Sequence, residues 1–151
     1  MVERVLTTGC FDVMHWSHVV YLQAIRRRWP SCRLYVGVGD DGTVRRLKGD
    51  GRPIVPERLR ALQVRALSCV DEAFVFDAFE DGGAEEKGMG RLIEFIDPCV
   101  FATGPRSPNR TAERYLGRCE FVVLEEEEVP PFTTTMLVEK IATYHSERGD
   151  A

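Results

Sequence analysis

The sequence has 151 residues, of which 44% are hydrophobic and 29% are charged, and its formal net charge is −4. This length fits one domain over residues 1–151, and we expect an ordered core over 1–147 and a frayed tail over 148–151. A surface that follows a nucleic-acid backbone usually makes a domain basic, so the negative charge argues against nucleic acid as a partner.

The chain also lacks the sequence features of a membrane or secreted protein. No apolar run approaches the roughly 20 residues that a membrane span requires, and the amino terminus does not resemble a secretory signal. We therefore expect a cytoplasmic protein without a membrane partner. The five cysteines, at positions 10, 32, 69, 99 and 119, are odd in number and form no C-x-x-C pair. This pattern argues against a disulfide framework and a zinc ribbon, and we expect reduced, mostly buried thiols.

Short apolar runs alternate with helical patterns along the chain. The predicted strands are Val5–Leu6, Leu34–Val38, Ala73–Phe76, Cys99–Ala102 and Phe121–Leu124, and the predicted helices cover 17–29, 57–68, 88–96, 110–117 and 134–147. Strands separated by helices form right-handed βαβ units around a parallel sheet. The sequence therefore predicts an α/β fold, a single Rossmann-like domain with a five-stranded parallel sheet and helices on both faces.

The turn between the first predicted strand and the first predicted helix carries the densest chemistry. Two imidazoles three residues apart, His15 and His18, share one face of the first helical turn. A helix amino terminus offers unpaired N–H groups and the positive end of the helix dipole, so we expect a phosphate chain to lie across this turn. The candidate phosphate-contacting residues in the turn are Thr8, Gly9, Cys10, Phe11 and Asp12.

Several of these residues admit more than one interpretation. The imidazoles could be surface or capping groups, or they could bind a metal together with Cys10. The metal hypothesis is the weaker one, because no second ligand pair at metal spacing occurs and His145 lies in the last predicted helix. Gly9 is either a plain turn glycine or a site of close nucleotide approach. Asp12 could orient the turn, cap N–H groups or hold Mg²⁺, and we favour capping.

Three later segments add candidate phosphate contacts. Lys48 stands in a stretch rich in glycine and aspartate that we predict as a loop, where a flexible ammonium can follow a triphosphate. Residues 77–90 are predicted to form a surface loop or a lid, from which Lys87 could reach a phosphate on closure. The last predicted helix opens with three hydroxyls that can cap amides or bind a phosphate. They belong to Thr133, Thr134 and Thr135.

Four segments, taken in order, resemble the cytidylyltransferase-like nucleotidyltransferases. They are Gly9-Cys10-Phe11-Asp12 with His15-x-x-His18; Leu47-Lys48-Gly49 with Arg52-Pro53, Pro56 and Arg60; Val70-Asp71-Glu72; and Thr133-Thr134-Thr135-Met136-Leu137-Val138. The likeness implies that an anionic phosphate or phosphonate oxygen attacks the α-phosphorus of a nucleoside triphosphate and that pyrophosphate leaves. Such a nucleophile needs no general base, so catalysis is positioning and electrostatics.

The same resemblance implies roles for particular residues and partners. It makes His15, His18, Lys48 and Arg60 the catalytic residues, with Arg60 contacting the β- or γ-phosphate. It implies a nucleotide site formed by Thr8, Gly9, Cys10, Phe11, Asp12, Gly104, Thr133, Thr134 and Thr135. It also implies Mg²⁺ bound through the phosphates, a small acceptor that carries a phosphate or phosphonate, and a homodimer.

Three segments depart from the family pattern. Ser17 replaces a glycine between the histidines, Glu125–Phe132 replaces a lead-in that carries an arginine, and the acidic residue that often follows Gly104 is missing. His15-Trp16 resembles glycerol-phosphate cytidylyltransferases, whereas Leu47–Pro53 resembles heptose-phosphate adenylyltransferases.

These observations leave three functional hypotheses. We favour transfer of CMP from CTP to a small phosphorylated alcohol or a phosphonate. The first alternative is an adenylyltransferase that uses ATP on a sugar phosphate or similar acceptor. The second is a non-catalytic nucleotide-binding module, which the altered Glu125–Phe132 segment motivates.

Overall fold

The computed structural model describes residues 1–79, 87–106, 117–129 and 131–149. Within these ranges the chain forms β1 (Arg4–Gly9), α1 (Trp16–Arg28), β2 (Arg33–Gly39), α2 (Asp41–Lys48), α3 (Glu57–Arg65), β3 (Glu72–Phe76), α4 (Lys87–Ile96), β4 (Val100–Thr103), β5 (Glu120–Val123) and α5 (Thr134–Gly149). The predicted helix over 110–117, apart from Gly117, lies outside the described residues, as do residues 80–86 of the predicted lid.

The strands form one parallel sheet in the order β3-β2-β1-β4-β5. In the register of this sheet, Val5 of β1 lies opposite Leu34 of β2 on one side and Val100 of β4 on the other. The chain runs outward from β1 to β3, returns across the sheet, and continues outward through β4 and β5. The order therefore reverses between β1 and β4, which is where sheets of this kind bind their ligands.

Two hydrophobic clusters lie on opposite faces of the sheet. Successive strand residues point to opposite faces, and Val5 accordingly packs in one cluster and Leu6 in the other. The first cluster contains Leu22 and Ile25 of α1 and Val64 of α3, whereas the second contains residues of α4, among them Ile93. Helices cover both faces, so the predicted α/β fold class is confirmed.

Helix α2 occupies a segment that we predicted to be a loop. Asp40 caps its amino terminus by accepting a hydrogen bond from the Thr43 amide at 2.7 Å, and Thr43 and Val44 are buried. Lys48 is therefore the last residue of a helix, and the loop prediction for it was wrong. A cap and one buried face are sufficient to stabilise this short, highly charged helix against the sheet.

The last helix is the least packed element. All the described side chains from Glu139 to Arg148 are exposed, and 55% of Ile141 and 57% of Tyr144 is accessible to solvent. Arg148, which we had placed in a frayed tail, belongs to this helix. The described helices include none with the length and apolar character needed to cross a membrane.

The five cysteines are free thiols, as expected. Cys32 and Cys119 are buried, Cys10 and Cys69 are partly buried, and Cys99 is exposed. Burial raises the pKa of the Cys10 thiol, which lies near the positive charges of Lys48 and two arginines.

Candidate active site

A cavity of about 270 Å³ opens at the carboxyl ends of the central strands. It brings together most of the residues predicted from the sequence: Thr8, Gly9, Cys10, Phe11, Asp12, His15, His18, Lys48, Gly104, Thr133, Thr134 and Thr135. It also includes Tyr21, Arg52, Arg106 and Phe132, which we had not assigned to the site. Arg60 and Lys87 do not line it.

The turn after β1 has an unusual backbone. Phe11 has a φ of 51° and Val13 a φ of 50°, a left-handed conformation that side chains bearing a Cβ rarely adopt. Only 3% of Phe11 is exposed to solvent, and a Cβ at Gly9 would lie 2.9 Å from the Phe11 ring. Glycine at position 9 is therefore required by the packing of Phe11. Strained backbone of this kind is concentrated at functional sites, where the surrounding structure holds it in place.

Asp12 fastens this turn to the segment before α3. Its side chain is fully buried, and its two oxygens accept hydrogen bonds from the amides of Ile54 and Val55 and from the Arg52 guanidinium. Burial alone would raise the pKa of Asp12, but the amides of Val55 and Ile54 and the charge of Arg52 outweigh burial and lower it. Asp12 thus remains ionised and clamps two loops together.

The two histidines lie against each other at the amino terminus of α1. Their ring centroids are 4.0 Å apart, and the His15 amide donates a hydrogen bond to Nδ1 of His18 at 3.3 Å. An Nδ1 that accepts a hydrogen bond carries no proton, so the proton of neutral His18 is on Nε2. Burial, together with the neighbouring His15, lowers the pKa of His18 to about 4. His18 is therefore a neutral hydrogen-bond donor near neutral pH.

The imidazole of His15 lies in a capping-box arrangement with the backbone of His18, but neither of its ring nitrogens forms a hydrogen bond within the described part of the chain. Both of its ring nitrogens are buried, and burial lowers the pKa of the ring. The ring is held by stacking on His18 and by the Phe132 ring, whose centroid lies 5.0 Å away in an edge-on arrangement. Buried polar groups normally have a hydrogen-bond partner, so the His15 imidazole is available to a molecule that enters the cavity, whether water or a ligand.

A second helix terminus lies beside the first turn. The Thr134 hydroxyl donates to the carbonyl oxygen of Asp12 at 2.9 Å, and the Thr133 hydroxyl accepts from the Met136 amide at 3.2 Å. The amino termini of α1 and α5 therefore converge on one cavity. Each contributes amide groups and the positive end of a dipole, an arrangement that favours a bound anion.

Tyr21 joins the two central strands below this point. Its hydroxyl lies 2.5 Å from that of Thr7 in β1 and donates to the carbonyl oxygen of Ala102 in β4 at 3.2 Å. Burial raises the pKa of this phenol well above its ordinary range. Tyr21 thus remains protonated and fixes β1 to β4 at the point where the strand order reverses.

Arg60 has a structural position, which contradicts the phosphate contact that the resemblance implied. Its side chain is completely buried, and its guanidinium donates to the carbonyl oxygens of Val55, Cys10 and Gly39 and to the carboxylate of Asp41. These bonds occupy all three nitrogens. Arg60 joins β1, β2 and α3 beneath the cavity, and a phosphate contact would require it to break them.

The remaining cations differ in their freedom to reach a ligand. Lys48 is exposed at the end of α2 and lines the cavity. Arg52 also lines it, but its guanidinium is paired with Asp12. Arg106 lines the far side and pairs with Glu126 at 3.1 Å. Lys87, the first residue of α4, is exposed outside the cavity, so the described residues give no support to its predicted phosphate contact.

The acidic segment after β5 does not face the cavity. Glu128 lies 3.5 Å from Arg28, Glu126 pairs with Arg106, and none of the four glutamates from 125 to 128 lines the cavity. These carboxylates therefore do not oppose an anionic ligand in the cavity, although Val129 and Phe132 of the same segment line it. The departure of Glu125–Phe132 from the family pattern, which motivated the non-catalytic alternative, thus puts none of these four carboxylates in the cavity.

The described residues do not form a metal site of their own. Among them, no group of three or more His, Cys, Asp or Glu side chains is placed to hold an ion. Both oxygens of Asp12 are occupied by amides and a guanidinium, so Asp12 does not fit the magnesium role that we had left open. Any Mg²⁺ at this cavity would arrive with the phosphates of the substrate.

Comparison with known proteins identifies the family. A family model described as "Cytidylyltransferase-like" matches residues 6–145. The chain belongs to the cytidylyltransferase-like family. This cytidylyltransferase-like chain is also 40% identical over 145 residues to the bifunctional protein HldE of Geotalea uraniireducens (strain Rf4), covering 92% of the chain and 27% of the relative. It is 36% identical over 143 residues to HldE of Helicobacter pylori (strain P12), covering 95% of the chain and 28% of the relative.

A solved structure agrees with this assignment. The lipopolysaccharide core biosynthesis protein from Thermoplasma volcanium GSS1 is 26% identical to this cytidylyltransferase-like chain and superposes with a TM-score of 0.64, covering 83% of this chain and 98% of that one. The chain spans about a quarter of the length of the curated HldE relatives that it matches. Together, the family and the relatives support a nucleotidyltransferase.

Proposed function

We propose that the chain transfers the adenylyl group of ATP to the phosphate of a small sugar phosphate and releases pyrophosphate. The family supports nucleotidyl transfer in general. The HldE relatives favour the ATP alternative over the CTP reaction that we had preferred. The resemblance of Leu47–Pro53 to heptose-phosphate adenylyltransferases points the same way.

The single observation that carries nucleotidyl transfer is the unpartnered His15 imidazole beside His18, at the meeting point of two helix amino termini. A phosphate chain is the ligand whose chemistry fits this arrangement, because it is anionic and accepts several hydrogen bonds at once. In this proposal the two imidazoles donate to phosphate oxygens. Neutral donors suit the task, since they are already in place and need no change of protonation.

Catalysis in this proposal rests on positioning and electrostatics. The amino terminus of α5 and the histidines hold the phosphates that leave, while Lys48 neutralises charge that develops around the α-phosphorus. Attack and departure are in line, so the acceptor phosphate enters from the side opposite the leaving pyrophosphate. The clamp from Asp12 to Arg52 and the buried Arg60 keep the first turn in its strained conformation. Magnesium accompanies ATP as part of the substrate.

A pyrophosphate-release assay tests this function. ATP and CTP are each supplied with Mg²⁺ and a panel of sugar phosphates and phosphorylated alcohols. The proposal predicts release with ATP and a sugar phosphate, and a loss of about 100-fold or more when His18 is replaced by alanine. The matched control is His145→Ala, because His145 is exposed on α5, away from the cavity. Release with CTP alone, or an unchanged rate in His18→Ala, would show the proposal to be wrong.

A further inference from the structure

An ion pair at the rim of the cavity joins the loops that follow the last two strands. Arg106 lies three residues after the end of β4, and Glu126 lies three residues after the end of β5. Their charged groups are 3.1 Å apart, with 43% of the Arg106 side chain and 64% of the Glu126 side chain exposed. Arg106 lines the cavity, whereas Glu126 does not. Arg106 is therefore a cavity-lining residue whose guanidinium contacts a carboxylate from outside the cavity lining.

This pair differs from the other guanidinium pairs around the site. Arg52 is held by the fully buried Asp12, and Arg60 is itself fully buried. Separating a buried pair leaves an uncompensated charge in a poorly solvated place, which is strongly unfavourable. An ion pair between exposed groups contributes little to stability, because water solvates both partners when they part. Of the two arginines that line the cavity in the described part of the chain, Arg106 is thus the one that can change partners at low cost.

The position of Arg106 shows which part of a ligand it would meet. The strand order reverses between β1 and β4, and nucleotides bind across such a reversal. The histidine pair follows β1 and Arg106 follows β4, so both groups border this crevice. A phosphate chain laid over the histidines would lie in the same cavity as Arg106. The contact with Glu126 uses one nitrogen of the Arg106 guanidinium, whereas arginine and phosphate often form two parallel charge-assisted hydrogen bonds.

We propose that Arg106 binds the phosphate chain of the nucleotide and that Glu126 is an internal competitor, which holds Arg106 until the phosphates replace it. This inference rests on the proposed function in taking a nucleoside triphosphate as the ligand. It assigns opposite effects to two neighbouring residues. Loss of Arg106 weakens binding, whereas loss of the Glu126 charge strengthens it.

Calorimetric titration of the whole chain with ATP and Mg²⁺, and separately with inorganic pyrophosphate, tests the exchange at constant salt. Glu126→Gln is expected to tighten binding about two- to fivefold, because the weak exposed pair no longer has to be broken. Arg106→Gln is expected to weaken it about tenfold. Glu126→Gln added to Arg106→Gln is expected to give no further change, because Glu126 acts through Arg106.

The pair formed by Arg118 and Glu94 supplies the control. These side chains are 3.3 Å apart, 60% and 55% exposed, and outside the cavity. Glu94→Gln makes the same change in net charge as Glu126→Gln and is expected to leave both affinities unchanged. Tightening by Glu94→Gln to the same extent would mean that overall charge, and not exchange at Arg106, governs binding, which would overturn the inference.

Other results separate this inference from the proposed function. Unchanged affinity in Glu126→Gln, or equal tightening with and without Arg106, contradicts the exchange even where the enzyme is active. Conversely, opposite effects of the two substitutions on pyrophosphate binding, in a protein that does not use ATP, support the exchange and refute the adenylyl reaction. Wild-type protein that binds neither ATP nor pyrophosphate contradicts both.

Discussion

Lowering the pH is expected to destabilise the folded chain through His18. Burial lowers the pKa of this imidazole from 6.5 to about 4, so the folded protein resists its protonation. The unfolded chain, with an ordinary histidine, takes up a proton as the pH falls below 6.5. Because the unfolded state then binds more protons, stability falls as the pH falls from 6.5 toward 4. Between about pH 7 and about pH 5, the two pKa values give a loss of about 2 kcal/mol from this residue.

Urea unfolding at the two pH values measures this loss. The comparison is between wild type and His18→Gln, which keeps a neutral polar side chain but cannot take up a proton in this range. Between about pH 7 and about pH 5, the free energy of unfolding of wild type is expected to fall by about 2 kcal/mol more than that of the variant. His145→Gln is the control. Because His145 is exposed on α5, this variant is expected to lose as much free energy of unfolding as wild type between the two pH values. Equal pH dependence in wild type and His18→Gln would refute the assignment of His18 as a buried neutral donor.

Three further substitutions test other parts of the account. His15→Ala is expected to lower turnover by about 100-fold or more while circular dichroism shows an intact fold, and activity within a fewfold of wild type would contradict its role. Arg60→Met is expected to cost about 3–5 kcal/mol in urea unfolding, because three backbone carbonyls and Asp41 lose a buried donor; a loss below about 1 kcal/mol would show that the guanidinium is dispensable. Gly88→Ala is expected to lower the melting temperature, since a Cβ there would lie 1.8 Å from the carbonyl oxygen of Asp77, and an unchanged melting temperature would contradict this close packing.

The sheet and the first turn could be predicted because their signals are local. Each strand is a short apolar run. Four of the five observed strands begin and end within one residue of the predicted bounds, and β1 extends further, to Gly9. The turn from Thr8 to His18 combines a glycine with two histidines at helical spacing, and the cavity forms around it. Helix α2 was missed for a local reason as well. Its sequence, DGTVRRLK, is mostly polar, and its stability depends on a cap at Asp40 and burial of Val44.

Two assignments depended on contacts between residues far apart in the sequence. Arg60 looks like a solvated helix residue, but it donates to the carbonyl oxygen of Cys10, fifty residues earlier. Asp12 looks like a helix cap, but its partners lie more than forty residues later. Nothing in a local pattern indicates which carbonyl or amide a folded loop will present. The ion pair of Arg106 could not be predicted for the same reason, since its partner Glu126 lies twenty residues later, after the next strand.

A crystal structure with a non-hydrolysable ATP analogue and Mg²⁺ tests the central claim most directly. The account predicts phosphates over the first turn of α1, with their oxygens within hydrogen-bond distance of His15 and His18 and beside the amino terminus of α5. An analogue bound with its phosphates away from the two histidines, and with both His15 nitrogens still unpartnered, would contradict the account.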